Sequence, residues 1–288
     1  MRSSRDQLQL SFQDTDIMVA EAIAYLQKHE PPEGYYVGFS GGKDSICTKK
    51  ICDMAGVKYQ AFYSCTRIDP PEVVQFIKKY HPDVEVLLPK MTFWAGIKKK
   101  APPLRMVRWC CDVLKKDPGK DHPLKNRVMG IRAEESARRA ARPRQDYFKK
   151  YKQTIYKPIF GWNEYHVWDF IEKNNLPYPA LYDQGFHRLG CVICPFMMGS
   201  SPGKKAAMEE SMRRWPGMWK AFENSCREWF MALRNDELRP GQKHKTFEAY
   251  YAAYLNGFEG KERAPVISHE DEIEGDEDEA IKQLKLPG

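Results

Sequence analysis

The sequence predicts an α/β protein, a doubly wound parallel sheet with a C-terminal helical appendage. Three observations predict it. Short apolar runs alternate with amphipathic segments from residue 13 to residue 132. A glycine turn, SGGKDS (40–45), joins the first apolar run to the segment that follows. From about residue 200 onward strand signals vanish and helical periodicity takes over. Alternation of this kind argues a parallel sheet, because parallel strands are joined by helical crossovers.

The elements follow in order. Residues 13–29 read as an amphipathic helix, with Ile17, Val19, Ala20, Ile23, Ala24 and Leu26 at helical spacing. Pro31 and Pro32 stop it. YYVGFS (35–40) reads as a buried strand ending in the glycine turn, and 43–55 as helix. VKYQAFYS (57–64) is the next strand and PPEVVQFIKKY (70–80) the next helix, its prolines suited to the first turn. VEVLLP (84–89) and NRVMGIR (126–132) are the third and fourth strands. Residues 204–236 and 246–255 read as helices. The expected partition is an α/β domain over 1–200, a helical appendage over 201–260 and an acidic tail over 261–288, disordered by composition.

Composition narrows the class. Hydrophobic residues at 42% and charged residues at 30% are ordinary for a globular protein. No run approaches the ~20 apolar residues of a membrane helix, and the N-terminus lacks a secretory h-region. The expected compartment is the cytoplasm, with no membrane partner. The net charge of +7 is unevenly spread: residues 270–279 hold eight acids, so residues 1–268 carry 44 basic against 31 acidic groups. Segment 98–157 alone holds 19 Lys/Arg against six Asp/Glu, the whole of that excess. A solvated face is the plainer explanation, but concentration in one stretch points to a polyanionic partner.

SGGKDS has the context of a phosphate site. It follows a strand and opens a helix, Gly41 and Gly42 admit an anion to the backbone, and Lys43 adds charge. The Walker A spacing is absent. The plainer alternative is a glycine turn in which Asp44 and Ser45 help to cap the helix.

The cysteines form the second constellation. Cys110 and Cys111 are adjacent, and Cys191 and Cys194 form a C-x-x-C. Two such pairs supply four thiolates for zinc or an iron–sulfur cluster, and unmetallated buried thiols remain the alternative. Cys47, Cys52 and Cys226 fall on helices, where burial is expected. Cys65 ends a strand and is a lesser candidate for a reactive thiol. Trp162 and Trp168 read as core, and His187 beside Arg188 as a minor phosphate-contact candidate.

Taken together these motifs resemble a known family. SGGKDS is similar to the PP-loop of ATP pyrophosphatases, of the adenine nucleotide α-hydrolase-like superfamily with its Rossmann-like sheet. GIRAEESARR (130–139) resembles the G-x-R-x-x-E-S-x-x-R segment of the phosphoadenylyl-sulfate (PAPS) reductase family. The stretch 156–195, through LYDQG to RLGCVICP, resembles its downstream block, and the whole match covers roughly 34–198. The chain also resembles the sulfurtransferase of DNA phosphorothioation systems.

The resemblance implies that Ser40, Gly41, Gly42, Lys43, Asp44 and Ser45 hold nucleotide phosphates, with Arg132 and Arg138 near the same anion. It makes Lys43, Asp44 and Asp69 the catalytic candidates. Asp69 and Glu72 come from IDPPE (68–72), which partly matches a reductase stretch. A Cys-Cys pair followed some 80 residues later by Cys-x-x-Cys resembles the [4Fe–4S] site of cluster-bearing adenylyl-sulfate (APS) reductases. The implied ligands are Cys110, Cys111, Cys191 and Cys194.

The expected function is ATP-dependent sulfur transfer. ATP, with Mg²⁺, adenylates an acceptor, and the basic segment 98–157 suits a nucleic-acid acceptor. The sulfur donor or reductant is not specified. The alternative is reduction of APS or PAPS to sulfite, against which stands the absence of any cysteine after Cys226. A third reading is a nucleotide- or nucleic-acid-binding protein without turnover.

Overall fold

The computed structural model describes residues 14–235 and 246–258, so the expected acidic tail lies outside the described residues. The chain divides into two compact units. The first holds the residues up to Ser64, then Pro71–Leu87 and Gly119–Leu189; the second holds Cys65–Pro70, Leu88–Pro118 and Gly190 onward. The boundary expected at 200 falls inside the second unit. Its reason is that the chain leaves the first unit after β2 (Tyr59–Ser64) and again after β3 (Glu85–Leu87).

The first unit contains the six-stranded sheet. Its other strands are β1 (Tyr35–Gly38), β4 (Asn126–Met129), β5 (Gln145–Phe148) and β6 (Gln153–Tyr156). They are ordered β3-β2-β1-β4-β6-β5. Every pairing is parallel except β5 with β6. The flanking helices are α1 (Thr15–Lys28), α2 (Lys43–Ala55), α3 (Pro71–Tyr80) and, later in the chain, Glu164–Lys173. This is the α/β, Rossmann-like architecture that the strand–helix alternation predicts. β1 is central because Tyr35, Tyr36 and Val37 are all buried, a run that only a two-sided sheet position can satisfy. The direction of winding reverses between β1 and β4, so the C-terminal ends of those two strands flank the crevice where open α/β sheets bind ligands.

The second unit is helical. It comprises α4 (Phe93–Lys100), a short helical segment Trp109–Cys111 running into a π-helical turn Asp112–Lys116, α6 (Pro202–Arg214), α7 (Pro216–Asn235) and α8 (Phe247–Leu255), with α5 being the Glu164–Lys173 helix of the first unit. The expected continuous helix 204–236 is broken at Trp215. Pro216 lacks an N–H and pushes the preceding residue out of helical geometry, and Trp215 accordingly sits at φ −124°, ψ 57°. The break lets α6 and α7 pack on each other.

Aromatic rings build the core of this unit. Phe93 stacks on Trp109 at 5.9 Å and on Phe222 at 6.0 Å between centroids. Gly96 makes the approach of Trp109 possible, since a Cβ there would lie 2.2 Å from the indole. Phe222 is fully buried, so Phe222→Ala is expected to destabilise the protein by about 3–5 kcal/mol, read by denaturant unfolding. Among the described residues no helix is long and apolar enough to cross a membrane.

Candidate functional site

The phosphate-loop candidate lies at the sheet's reversal point. β1 ends at Gly38, and Gly41 turns the chain in the left-handed region at φ 72°. A Cβ at Gly41 would meet Val73 and Ile77 of α3 at 2.9–3.0 Å, so glycine is required both for the turn and for the packing. Gly42 is the N-cap of α2 and makes no side-chain cap bond. The N-cap residue itself therefore places no side chain over the N–H groups at the helix N-terminus. Ser45 ties the turn together. Its hydroxyl donates to the Gly42 carbonyl at 2.8 Å and accepts from the Ser40 N–H at 3.2 Å.

Lys43 is 3% exposed and closely held. Its ammonium donates to Glu164 Oε1 at 2.9 Å and to the His187 carbonyl at 2.6 Å. It also lies 5.1 Å from the Tyr182 ring centroid and 5.6 Å from that of Trp168. The hydrogen bond from Lys43 holds the Glu164 carboxyl below the usual glutamate range, although half of that side chain faces water. The Tyr182 hydroxyl accepts from the Lys43 N–H at 2.9 Å, and burial raises the Tyr182 pKa. A side chain thus already uses one N–H of the helix N-terminus. Tyr182→Phe is expected to lower stability by about 1 kcal/mol, measured by denaturant titration, because that N–H loses its internal acceptor.

Arg132, from the loop after β4, is 5% exposed and reaches the same turn. Its Nε donates to Asp44 Oδ1 at 2.6 Å, and a terminal nitrogen pairs with Glu134. Gly130 lets this loop approach α2, since a Cβ would sit 2.7 Å from the Asp44 carbonyl oxygen. Ser40 to Ser45 and Arg132 therefore come together. Arg138 is exposed, and its neighbour Arg139 pairs with Glu135, which also faces Arg188 at 3.8 Å. The register of G-x-R-x-x-E-S-x-x-R places its last arginine at 139, a signal the sequence already contained. Trp162 is buried as expected, but Trp168 is half-buried beside Lys43, not a core residue. His187 contributes its carbonyl to Lys43.

The four cysteines fall in the second unit. Cys110 lies close enough to Cys111, Cys191 and Cys194 for each to raise its pKa. Cys110 donates a hydrogen bond to Cys111, which raises the pKa of Cys110 and lowers that of Cys111. Burial pushes Cys191 up to about 11. Its thiol lies 3.9 Å from Asp69 Oδ1 and 3.8 Å from Thr66 Oγ1. Asp69 itself accepts from the Thr66 N–H at 2.9 Å. For Lys115 desolvation opposes the charge, but Cys191 and Asp69 outweigh it and the ammonium is held charged.

Buried hydrogen bonds pin the C-x-x-C loop. The Val192 N–H donates to the Ile68 carbonyl at 2.8 Å, and Ser211 Oγ of α6 donates to the Val192 carbonyl at 3.0 Å. Trp219 of α7 donates in turn to Ser211 Oγ. Four thiols in one unit, with a lysine among them, match the donor chemistry of an iron–sulfur or zinc site. Among the described residues, however, no three His, Cys, Asp or Glu side chains form a metal-ligating group; the thiols bond to one another, to Asp69 and to Thr66. Cys47, Cys52 and Cys226 are buried, as their helical positions predict. Tyr182, Glu164, Arg139, Thr66 and Ser211 are the contributors that sequence reasoning missed.

An uncharacterised protein of Methanocaldococcus jannaschii is 32% identical over 206 residues, covering 67% of this chain and 41% of that protein. An adenosine 5'-phosphosulfate reductase of Neisseria meningitidis is 40% identical over 93 residues, covering 30% of this chain and 36% of that one. The chain thus spans less than half the length of these curated relatives. Among solved structures, a Candida auris phosphoadenylyl-sulfate reductase has a TM-score of 0.48 at 16% identity, covering 62% of this chain and 95% of that one. The phosphoadenosine phosphosulfate reductase domain matches residues 34–197, more than half of the chain and including the phosphate-loop turn, the Arg132 segment and all four cysteines of the thiol group. The chain belongs to the phosphoadenosine phosphosulfate reductase domain family.

Proposed function

We propose that the protein is a PP-loop enzyme that uses ATP to adenylate an acceptor and then exchanges the adenylate for sulfur. The observation that carries this reading is the SGGKDS turn at the sheet's reversal point, with Gly41 left-handed and Arg132 bonded to Asp44. Phosphate oxygens of MgATP bind at Gly41, Gly42 and the N-terminus of α2. An acceptor oxygen attacks the α-phosphorus, the bond to the bridging oxygen breaks, and pyrophosphate leaves. Lys43 offsets charge on that leaving group. A sulfur nucleophile then attacks the acceptor carbon, the carbon–oxygen bond breaks, and AMP departs. Glu164 and the His187 carbonyl fix where Lys43 can reach.

In this reading Cys110, Cys111, Cys191 and Cys194 hold a [4Fe–4S] cluster, and Lys115 offsets thiolate charge. Held by these four thiolates, such a group would supply structural and electrostatic support. Asp69 sets the position of Cys191 through its contacts with the thiol and with Thr66.

A second reading has one specific support, the similarity to adenosine 5'-phosphosulfate reductases. It is reduction of adenylyl sulfate to sulfite by an external thiol. One pair of assays separates the two. Pyrophosphate released from ATP only when acceptor RNA or DNA is present supports sulfur transfer. Sulfite formed from adenylyl sulfate and thioredoxin, without pyrophosphate from ATP, replaces it with the reductase reading.

A further inference from the structure

The basic excess of segment 98–157 contains one local arrangement that neither reaction uses. In the second unit, Arg105 and Arg108 both lie over the Phe196 ring, with guanidinium carbons 5.7 Å and 4.8 Å from its centroid. Phe196 nonetheless stays 45% exposed, and Met106 and Val107 beside it are 54% and 49% exposed. The Leu104 N–H donates to the Val107 carbonyl, which closes the loop that presents them. Among the described residues neither arginine has a carboxylate partner, in contrast to Lys98 with Glu228 at 2.6 Å and Lys116 with Asp112 at 2.7 Å. Two cations without a carboxylate partner among the described residues therefore flank an exposed aromatic ring and an exposed apolar edge.

We propose that Arg105, Arg108 and Phe196 form a binding surface for single-stranded nucleic acid. A single strand offers the complementary pattern: phosphates for the guanidiniums and flat unpaired bases for the ring. An acidic peptide would satisfy the arginines but leave Phe196, Met106 and Val107 in water. A duplex would offer phosphates but keep its bases stacked inside. The surface also adjoins the thiol group along the chain, because Arg108 stands two residues before Cys110. The proposal deepens the sulfur-transfer reading by naming its acceptor class, and rests on that reading for its purpose.

The test uses the full chain and a fluorescently labelled short single-stranded RNA, read by anisotropy across a salt series, with a blunt duplex of equal length beside it. The wild type is expected to prefer the single strand. Arg105→Gln with Arg108→Gln should weaken binding by about tenfold or more at moderate salt. It should also flatten the slope of log affinity against log salt by about 0.7 for each phosphate the arginines no longer neutralise. Phe196→Leu, which keeps apolar bulk but removes the ring, should weaken binding about fivefold or more with the slope unchanged. Equal affinity for duplex and single strand, or affinities untouched by both variants, overturns the proposal. Binding that follows the expected pattern without pyrophosphate release from ATP leaves this surface standing and sinks the sulfur-transfer chemistry instead.

Discussion

Lys43→Met is expected to lower ATP-dependent pyrophosphate release by about 10²–10³-fold, the range seen when one preorganised charge partner of a developing anion is removed. The size of the effect follows from how the lysine is held. Its ammonium is fixed by Glu164, by the His187 carbonyl and by the rings of Tyr182 and Trp168, and only 3% of the residue meets solvent. A cation so placed has paid its ordering cost before substrate arrives, and no mobile surface lysine replaces it. The fold should survive the change. Glu164 is 49% exposed in its side chain, so water takes over the solvation that Lys43 gave it, and the lost pair costs little in stability. The informative comparison is Glu164→Gln, which keeps Lys43 but loosens its position. That variant should retain ATP binding while kcat falls less than in Lys43→Met. Pyrophosphate released by Lys43→Met at the wild-type rate would show that the lysine merely braces the turn.

What could be read from the chain alone follows from where each signal is stored. β1 and α2 were legible because a buried run, YYVG, meets a glycine pair whose first member, Gly41, takes a left-handed conformation that other residues adopt less readily. β5 and β6 were not. They are four residues each, β5 alternates exposed and half-buried positions, and both lie among lysines and arginines that mask any apolar period. The break between α6 and α7 was present in the sequence as Trp215–Pro216, but strong helical periodicity on both sides hid it. The thiol pairs were legible from residue type, although 79 residues separate Cys111 from Cys191. Their neighbours were harder to find: Thr66, Asp69 and Ser211 reach the C-x-x-C loop only through the folded path. Glu164 and Tyr182 were illegible for the same reason, standing 121 and 139 residues from the lysine they hold.

Cys191→Ala is expected to abolish bound iron and acid-labile sulfide in anaerobically purified protein, while Cys52→Ala leaves both unchanged. Cys191 is the thiol to remove because its loop does not depend on it. The Val192 N–H and carbonyl are bonded to Ile68 and Ser211, so the backbone at 191–194 keeps its place without the sulfur. Loss of metal would then report ligation and not local unfolding. Cys52 is fully buried on α2, and with desolvation raising its pKa it remains a neutral thiol, so its removal costs packing alone. Lys115 supplies a further readout. Its charge is sustained by Cys191 and Asp69, so Lys115→Met should leave the iron content near wild type but change the reduction potential of the bound group. Stoichiometric zinc in the wild type would replace the cluster with a structural zinc site on the same thiols. Full iron in Cys191→Ala would remove these thiols from consideration as its ligands.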